Sequence, residues 1–163
     1  MDCFPLRKSE VRWPVLVLCV SMVSACTDRS GTTPVSARAV KRAGPPAQPA
    51  RGTIHTVRML LDDEGFRFDP SYLVVREGEG VRFLMVSGVP HNVAFDERFI
   101  PRTARAQLVA NLVALGGRDL ASPVVTTIDS TFVISTSGLT HGDYLFYCAP
   151  HRSLNMHGVL TVR

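Results

Sequence analysis

The 163-residue chain lacks the short motifs by which many enzyme classes are recognised. It contains no P-loop, no GxSxG, no HExxH and no CxxC sequence, and it has no internal repeat. These absences leave no sequence grounds for nucleotide hydrolysis, serine hydrolase chemistry, zinc proteolysis, dithiol exchange or a solenoid.

The part of the sequence that has the pattern of a folded domain also lacks an excess of positive charge. Residues 52–163 contain ten arginines, no lysine and eleven acidic residues, a net charge of −1, although the whole chain carries +4. Residues 27–51 alone account for +4. We therefore expect no basic patch on the folded part, which argues against a nucleic-acid partner.

Residues 1–25 have the pattern of an export signal. Basic residues come first, and the apolar stretch that follows is shorter than the roughly 20 residues of a membrane span. The stretch ends in VSAC, which resembles the lipobox of bacterial lipoproteins. The resemblance implies cleavage before Cys26 and lipidation of its thiol; plain cleavage after Ala25 is the alternative. We expect an exported protein, lipid-anchored at the periplasmic or extracytoplasmic face of a membrane.

Two further segments follow the signal. Residues 26–52 begin with Cys26 and are rich in Pro, Gly, Ser, Thr and Ala, which predicts a flexible tether. Residues 53–163 alternate apolar and polar side chains between Gly and Pro turns. This alternation predicts one all-β domain, a sandwich of about seven short antiparallel strands.

One part of the domain departs from the strand pattern. Leu108 and Leu112, with a third leucine one turn further on, predict one short helix at about 104–115, inserted between strands. Thr103 is a candidate cap at its start, and Gly116 ends it. We expect this helix to pack on the sandwich; contact with a partner is the alternative.

Cysteine is scarce once the N-terminal segments are set aside. Cys3 and Cys19 fall in the predicted signal and Cys26 is the predicted anchor, so Cys148 is the one thiol left in the domain. A lone thiol in an oxidising compartment is exposed to oxidation unless something occupies it. Coordination of a metal is one such occupation.

Four sulfur and nitrogen side chains then form a candidate metal site. Cys148, His151 and Met156 follow the pattern C-x2-H-x4-M between two strand-like segments, and His91 lies upstream after a proline. Taken singly, each is an ordinary strand-end or core residue. Together they supply the His₂Cys set and weak axial sulfur that are diagnostic of a type 1 copper centre for electron transfer. The pattern predicts one copper ion.

The remaining histidines are not expected to be ligands. His157 follows Met156 directly, and neighbours on a strand point to opposite faces. His55 and His141 lie outside both ligand segments. An oxidase or nitrite reductase would need further histidine clusters, and the chain has no His-x-His pair.

Two stretches resemble a known family. PHNVAFDE (90–97) and YLFYCAPHRSLNMHGVLTV (144–162) are similar to the ligand segments of plastocyanin and related cupredoxins, and the similarity covers roughly residues 53–163. It implies a Greek-key β-sandwich and a ligand loop of the plastocyanin or pseudoazurin type.

The resemblance also implies roles for single residues. Copper would be bound by His91, Cys148 and His151, the histidines through Nδ1, with Met156 axial. Asn92 matches a position that ties the two ligand loops together by hydrogen bonding, which orients the ligands.

The same resemblance implies a function. We expect a monomeric electron carrier, not an enzyme, that shuttles single electrons between redox proteins at a membrane face. Electrons would pass through the exposed edge of His151, in an apolar patch that Pro90, Pro150 and Leu154 could line. Tyr147 matches a possible second exit, or is simply a strand tyrosine. Copper binding or delivery without electron transfer is the main alternative, and a metal-free interaction domain is a lesser one.

Overall fold

The computed structural model describes residues 44–163. Cys26, the predicted signal and most of the predicted tether lie outside the described residues. Within the described part, no helix is long and apolar enough to cross a membrane.

Eight strands and one α-helix make up the described chain. The strands are β1 (Ile54–Asp62), β2 (Gly65–Asp69), β3 (Tyr72–Val75), β4 (Gly80–Met85), β5 (Ala94–Phe95), β6 (Thr131–Ser135), β7 (Gly142–Tyr147) and β8 (His157–Val162), with α1 at Arg105–Val113 between β5 and β6. Short 3₁₀ helices occupy Glu97–Phe99 and Arg152–Leu154. The expected all-β sandwich with one inserted helix is confirmed, and the strand beyond the expected seven is β5, whose two residues are too short to show alternation.

The strands form two four-stranded sheets, ordered β2-β1-β4-β6 and β3-β8-β7-β5. The expectation of purely antiparallel pairing was wrong, because β1 pairs with β4, and β3 with β8, in parallel. The chain crosses repeatedly between the sheets, so strands that are neighbours in space come from distant parts of the sequence. Their direction is set by these crossings and not by hairpin turns.

The core lies between the sheets and is built around three aromatic rings. Phe68 and Phe83 come from one sheet and Phe146 from the other, and all are buried. The ring centroids of Phe68 and Phe146 lie 4.8 Å apart at 73°, and those of Phe83 and Phe146 lie 5.7 Å apart at 81°. Such edge-to-face pairs add about 0.5–1.5 kcal/mol each beyond the area they bury.

The inserted helix packs its leucine face against this core. Leu108 and Leu112 are fully buried, as their spacing predicts. The candidate cap Thr103 does not cap the helix, because the N-cap residue is Ala104 and no side chain makes a capping hydrogen bond. The hydroxyl of Thr103 instead lies 3.3 Å from that of Thr140, in the loop before β7.

The last residues of the predicted tether pack on the domain at the start of β4. We call residues 46–52 the N-terminal strap. Gln107 Nε2 donates to the Pro46 carbonyl at 2.9 Å, and the Gln48 amide donates to Asn111 Oδ1 at 2.9 Å. Ser137 Oγ donates to the Pro49 carbonyl at 2.7 Å. The packed part of the chain therefore begins before Thr53, the boundary that the composition suggests.

Candidate metal centre

Three donor side chains converge beyond the far end of β4, where β7 also ends. His91 lies in the β4–β5 connection, Cys148 directly follows β7, and His151 lies in the loop before β8. Their donor atoms lie within 4.8 Å of one another. The two Nδ1 atoms are 3.1 Å apart, and Cys148 Sγ lies 3.4 Å from Nδ1 of His91 and 3.5 Å from that of His151.

His91 is held by backbone groups both at its ring and at its main chain. Its Nε2 lies 2.8 Å from the Ser87 carbonyl, which can only accept, so Nε2 carries the proton. The Nδ1 lone pair therefore faces Cys148 and His151. The backbone of His91 also exchanges two hydrogen bonds with Val125, at 3.0 and 2.8 Å. The segment after α1 thus clamps this histidine in place.

The ring of His151 is held by stacking. It lies against Phe66 with ring centroids 3.8 Å apart and an interplanar angle of 16°. Nδ1 points inward to the other donors, while 8% of the residue's surface reaches solvent. His91 and Cys148 are fully buried, so His151 is the member of the cluster that reaches the solvent.

The two loops that carry the donors are joined by Asn92. Its Oδ1 accepts a hydrogen bond from the backbone N–H of Ala149 at 2.8 Å, across 57 positions of sequence. The Cys148 amide donates to the Met156 carbonyl at 3.0 Å, which closes the C-terminal loop on itself. The hydrogen bond of Asn92 therefore links the segment that carries His91 to the loop that carries Cys148 and His151.

Met156 completes the sulfur and nitrogen side chains of the loop. It is fully buried immediately before β8, and Asn155, in the left-handed conformation at φ 64°, turns the chain into that strand. His157 is exposed, which fits the expected alternation. His55 is bonded to Glu79 at 2.8 Å, well away from the cluster.

Burial controls the charge of the cluster. It raises the pKa of the Cys148 thiol and lowers the pKa values of His91 and His151. All three donors are consequently neutral at pH 7 in the protein alone. Binding of a cation would expel the thiol proton, and the negative sulfur would then offset the charge of the ion.

The donor set fits a copper ion in both chemistry and size. One thiolate and two imidazoles are the ligands that copper of the His₂Cys type takes. A point equidistant from the three donor atoms lies about 2 Å from each, comparable to the ~2.0–2.3 Å bonds that nitrogen and sulfur form with zinc. The site needs little rearrangement to hold the ion.

Several residues around the site had not been identified from the sequence. Phe66 belongs to an alternating F-x-F segment and was assigned only to the sandwich; Ser87 acts through its carbonyl, which no residue type encodes. Val125 holds His91 in the same way.

Tyr147, the predicted second exit, is half-buried, and Arg152 lies over its ring with Cζ 4.2 Å from the centroid.

Comparison with known proteins identifies the family of the chain. Residues 55–163 match the family described as copper binding proteins, plastocyanin/azurin family. Plastocyanin A/B of Petroselinum crispum is 33% identical over 106 residues, which cover 65% of this chain and 97% of that protein.

Two further relatives give the same result. The chloroplastic plastocyanin of Physcomitrium patens is 36% identical over 107 residues, 66% of this chain and 56% of that protein, so the chain spans little more than half of that relative. Among solved structures, oxidized plastocyanin from Dryopteris crassirhizoma has a TM-score of 0.50 and 34% identity, covering 66% of this chain and 99% of that one. The chain therefore belongs to the plastocyanin/azurin family of copper-binding proteins.

Proposed function

We propose that the protein is a type 1 copper electron carrier in which His91, Cys148 and His151 hold one copper ion and Met156 is a weak axial ligand. The observation that carries the proposal is the convergence of one Sγ and two Nδ1 atoms to within 3.5 Å of one another. When bound, copper supplies one-electron redox chemistry. The protein is a carrier and not an enzyme.

The surrounding residues keep the donors in place through an electron transfer. The Ser87 carbonyl orients His91, Phe66 supports His151, and Asn92 ties the two loops together. Burial keeps water away from the sulfur of Cys148. Donors fixed in this way need not reorganise when the charge of the site changes, which keeps electron exchange fast.

Electrons enter and leave where the cluster reaches the surface. His151 is that point, and exposed apolar residues surround its loop: Pro90, Pro150 and Leu154. This patch suits brief contact with a donor and an acceptor protein. Tyr147, next to Cys148 in the chain, offers the second exit.

We also propose that lipidated Cys26 confines the carrier to the periplasmic or extracytoplasmic face of a membrane. The strap supports this arrangement, because it joins the domain at the start of β4 while the donors lie beyond its end, about 17 Å along a strand of this length. The metal end is then directed away from the chain's attachment. Cys26→Ser should release the protein into the soluble fraction, and retention at the membrane would exclude lipidation.

A visible absorption spectrum tests the copper site. The copper(II)-loaded protein should have the intense band of copper–thiolate charge transfer and should be reduced and reoxidised reversibly in voltammetry. Cys148→Ser should abolish the band while leaving the circular dichroism of the sandwich intact. A colourless protein that exchanges copper readily would instead support copper delivery.

A further inference from the structure

A depression of about 510 Å³ lies beside Tyr147, and three arginines line it: Arg98, Arg118 and Arg152. The net charge of −1 on residues 52–163 predicts no basic patch on the folded part, so this gathering of three arginines is not expected from the sequence. The fold produces it, because β5 and the 3₁₀ turn, the segment after α1 and the C-terminal loop meet here.

A buried carboxylate holds two of these arginines in position. Asp96 accepts from Arg98 Nε at 3.0 Å and from its terminal nitrogen at 2.7 Å, and a terminal nitrogen of Arg152 lies 3.4 Å away. The carboxylate side chain is 9% exposed, whereas the side chains of Arg98 and Arg152 are 71% and 55% exposed. The charge that faces solvent is therefore that of the guanidiniums.

Arg152 is held on a second side by an aromatic ring. Its guanidinium carbon lies 4.2 Å from the centroid of Tyr147, a cation–π contact. Tyr147 directly precedes Cys148, and Arg152 directly follows His151. A molecule bound to this guanidinium would therefore stand beside both residues through which electrons are proposed to pass.

The acidic residues near the depression do not cancel its charge. Glu97 and Asp119 are both bonded to Arg105, at 2.5 and 3.0 Å. Arg118 is exposed and makes no ion pair with any residue that the structure describes. With Arg105 counted, four arginines (98, 105, 118 and 152) thus face three acidic residues (96, 97 and 119) here, a surplus of one positive charge in a folded part whose net charge is −1.

We propose that this arginine cluster is the docking surface for an acidic redox partner, whose carboxylates pair with Arg118 and with the free N–H groups of Arg98 and Arg152. The inference rests on the proposed electron-carrier function and names the chemistry of its partner. A guanidinium group presents two parallel N–H donors that match a carboxylate. Asp96 holds the guanidinium of Arg98 in place, and Asp96 together with Tyr147 holds that of Arg152. The surplus of positive charge also steers an acidic surface to this end of the molecule.

Small redox reagents of opposite charge test the surface. The copper(I) protein would give its electron to hexacyanoferrate(III), a trianion, or to tris(phenanthroline)cobalt(III), a trication, at low ionic strength. Arg118→Gln should lower the rate of electron transfer to the trianion about five-fold, because the attraction of one positive charge for a trianion is worth about that much when screening is weak. The rate of electron transfer to the trication should stay unchanged or rise. Arg82→Gln, which removes an exposed charge from the other sheet, should change either rate by less than about two-fold. Equal losses in the two variants would overturn the proposal.

A binding measurement separates this proposal from the proposed function. Hexacyanochromate(III), an inert paramagnetic trianion, should broaden the amide signals of Arg98, Arg118 and Tyr147 in the copper(I) protein, and Arg118→Gln should weaken that broadening. Broadening centred on Arg82, or spread evenly over the surface, would overturn the docking surface even if electron exchange is fast. Broadening at Arg118 without exchange with either reagent would support the surface and defeat the electron-carrier function.

Discussion

The two ends of β4 both bury polar side chains, but they use them differently. At the strap end, Asn111 is paired on every side: its Nδ2 donates to the carbonyls of Ser135 and Ser137 at 3.0 and 3.2 Å, and its Oδ1 accepts from Gln48 and Gln107, both at 2.9 Å. At the metal end, the donor atoms of three buried side chains, His91, Cys148 and His151, lie within 4.8 Å of one another.

This difference separates a structural polar group from a candidate site. A buried amide whose donors and acceptors all have hydrogen-bond partners within the protein is satisfied, and nothing further can bind it. His91 Nδ1 is an acceptor that faces a weak thiol donor and a second imidazole, so its strongest partner is a cation. Burial alone therefore does not identify function; the identity of the groups that face each buried atom does.

The largest effect on stability is expected from breaking the satisfied end. Asn111→Ala leaves two carbonyls and two N–H groups without their partner, which should lower the free energy of unfolding by about 3 kcal/mol. Copper binding should be unaffected, because the donors lie beyond the opposite end of the strand. Urea unfolding of the metal-free and copper-loaded variant checks both statements; a changed visible spectrum would show that the two ends are coupled.

The reciprocal change at the metal end should give the opposite pattern. Asn92→Ala removes the acceptor for the Ala149 amide and frees the two ligand loops from each other, so copper affinity should fall about ten-fold. The loss of stability in the metal-free protein should be about 1 kcal/mol, since one hydrogen bond is lost. Competition with a copper chelator measures the affinity, with Asn111→Ala as the matched asparagine control. Unchanged affinity would make Asn92 a purely structural residue.

The contrast between the ends also explains which features were predictable. Alternation along β4, where Val81, Phe83 and Met85 are buried, is encoded in side chains, so the sandwich was predicted. Three candidate ligands were found because a thiol, an imidazole and a thioether stand close together at Cys148, His151 and Met156, and His91 was added from the PHN segment upstream. Their ligand roles stay a prediction. Strand direction depends on how the chain crosses between the sheets, and the packing of the strap depends largely on its backbone carbonyls. No residue type marks either feature in the sequence.

The same reasoning explains the errors in detail. Thr103 has the right side chain for a helix cap, but tertiary packing brings its hydroxyl to Thr140. Phe66 reads as one more core residue in an alternating strand, and only the three-dimensional arrangement sets it against His151. The arginine cluster has no local sequence pattern, because Arg98, Arg118 and Arg152 come from three separate segments.

Asp96 lies between the two extremes, since it is buried and fully paired, but with partners that are exposed. The guanidinium of Arg98, aided by the Arg98 backbone N–H and the charge of Arg152, lowers the pKa of Asp96 to about 2. A carboxyl whose pKa is lowered on folding stabilises the protein above its ordinary value of 3.8, and that contribution is lost as pH falls toward 2. Because both guanidiniums are largely exposed, we expect a contribution of only about 1 kcal/mol.

The comparison of the native protein with Asp96→Asn isolates this effect from the other groups that titrate in acid. The native protein should be the more stable at pH 6 by about 1 kcal/mol, and the difference should disappear near pH 2, measured by urea unfolding. High salt should shrink it at pH 6, because solvent ions screen the exposed arginines. A difference that persists at pH 2 and in high salt would mean that Asp96 acts through its backbone bonds, like the asparagine of the strap end, and not through its charge.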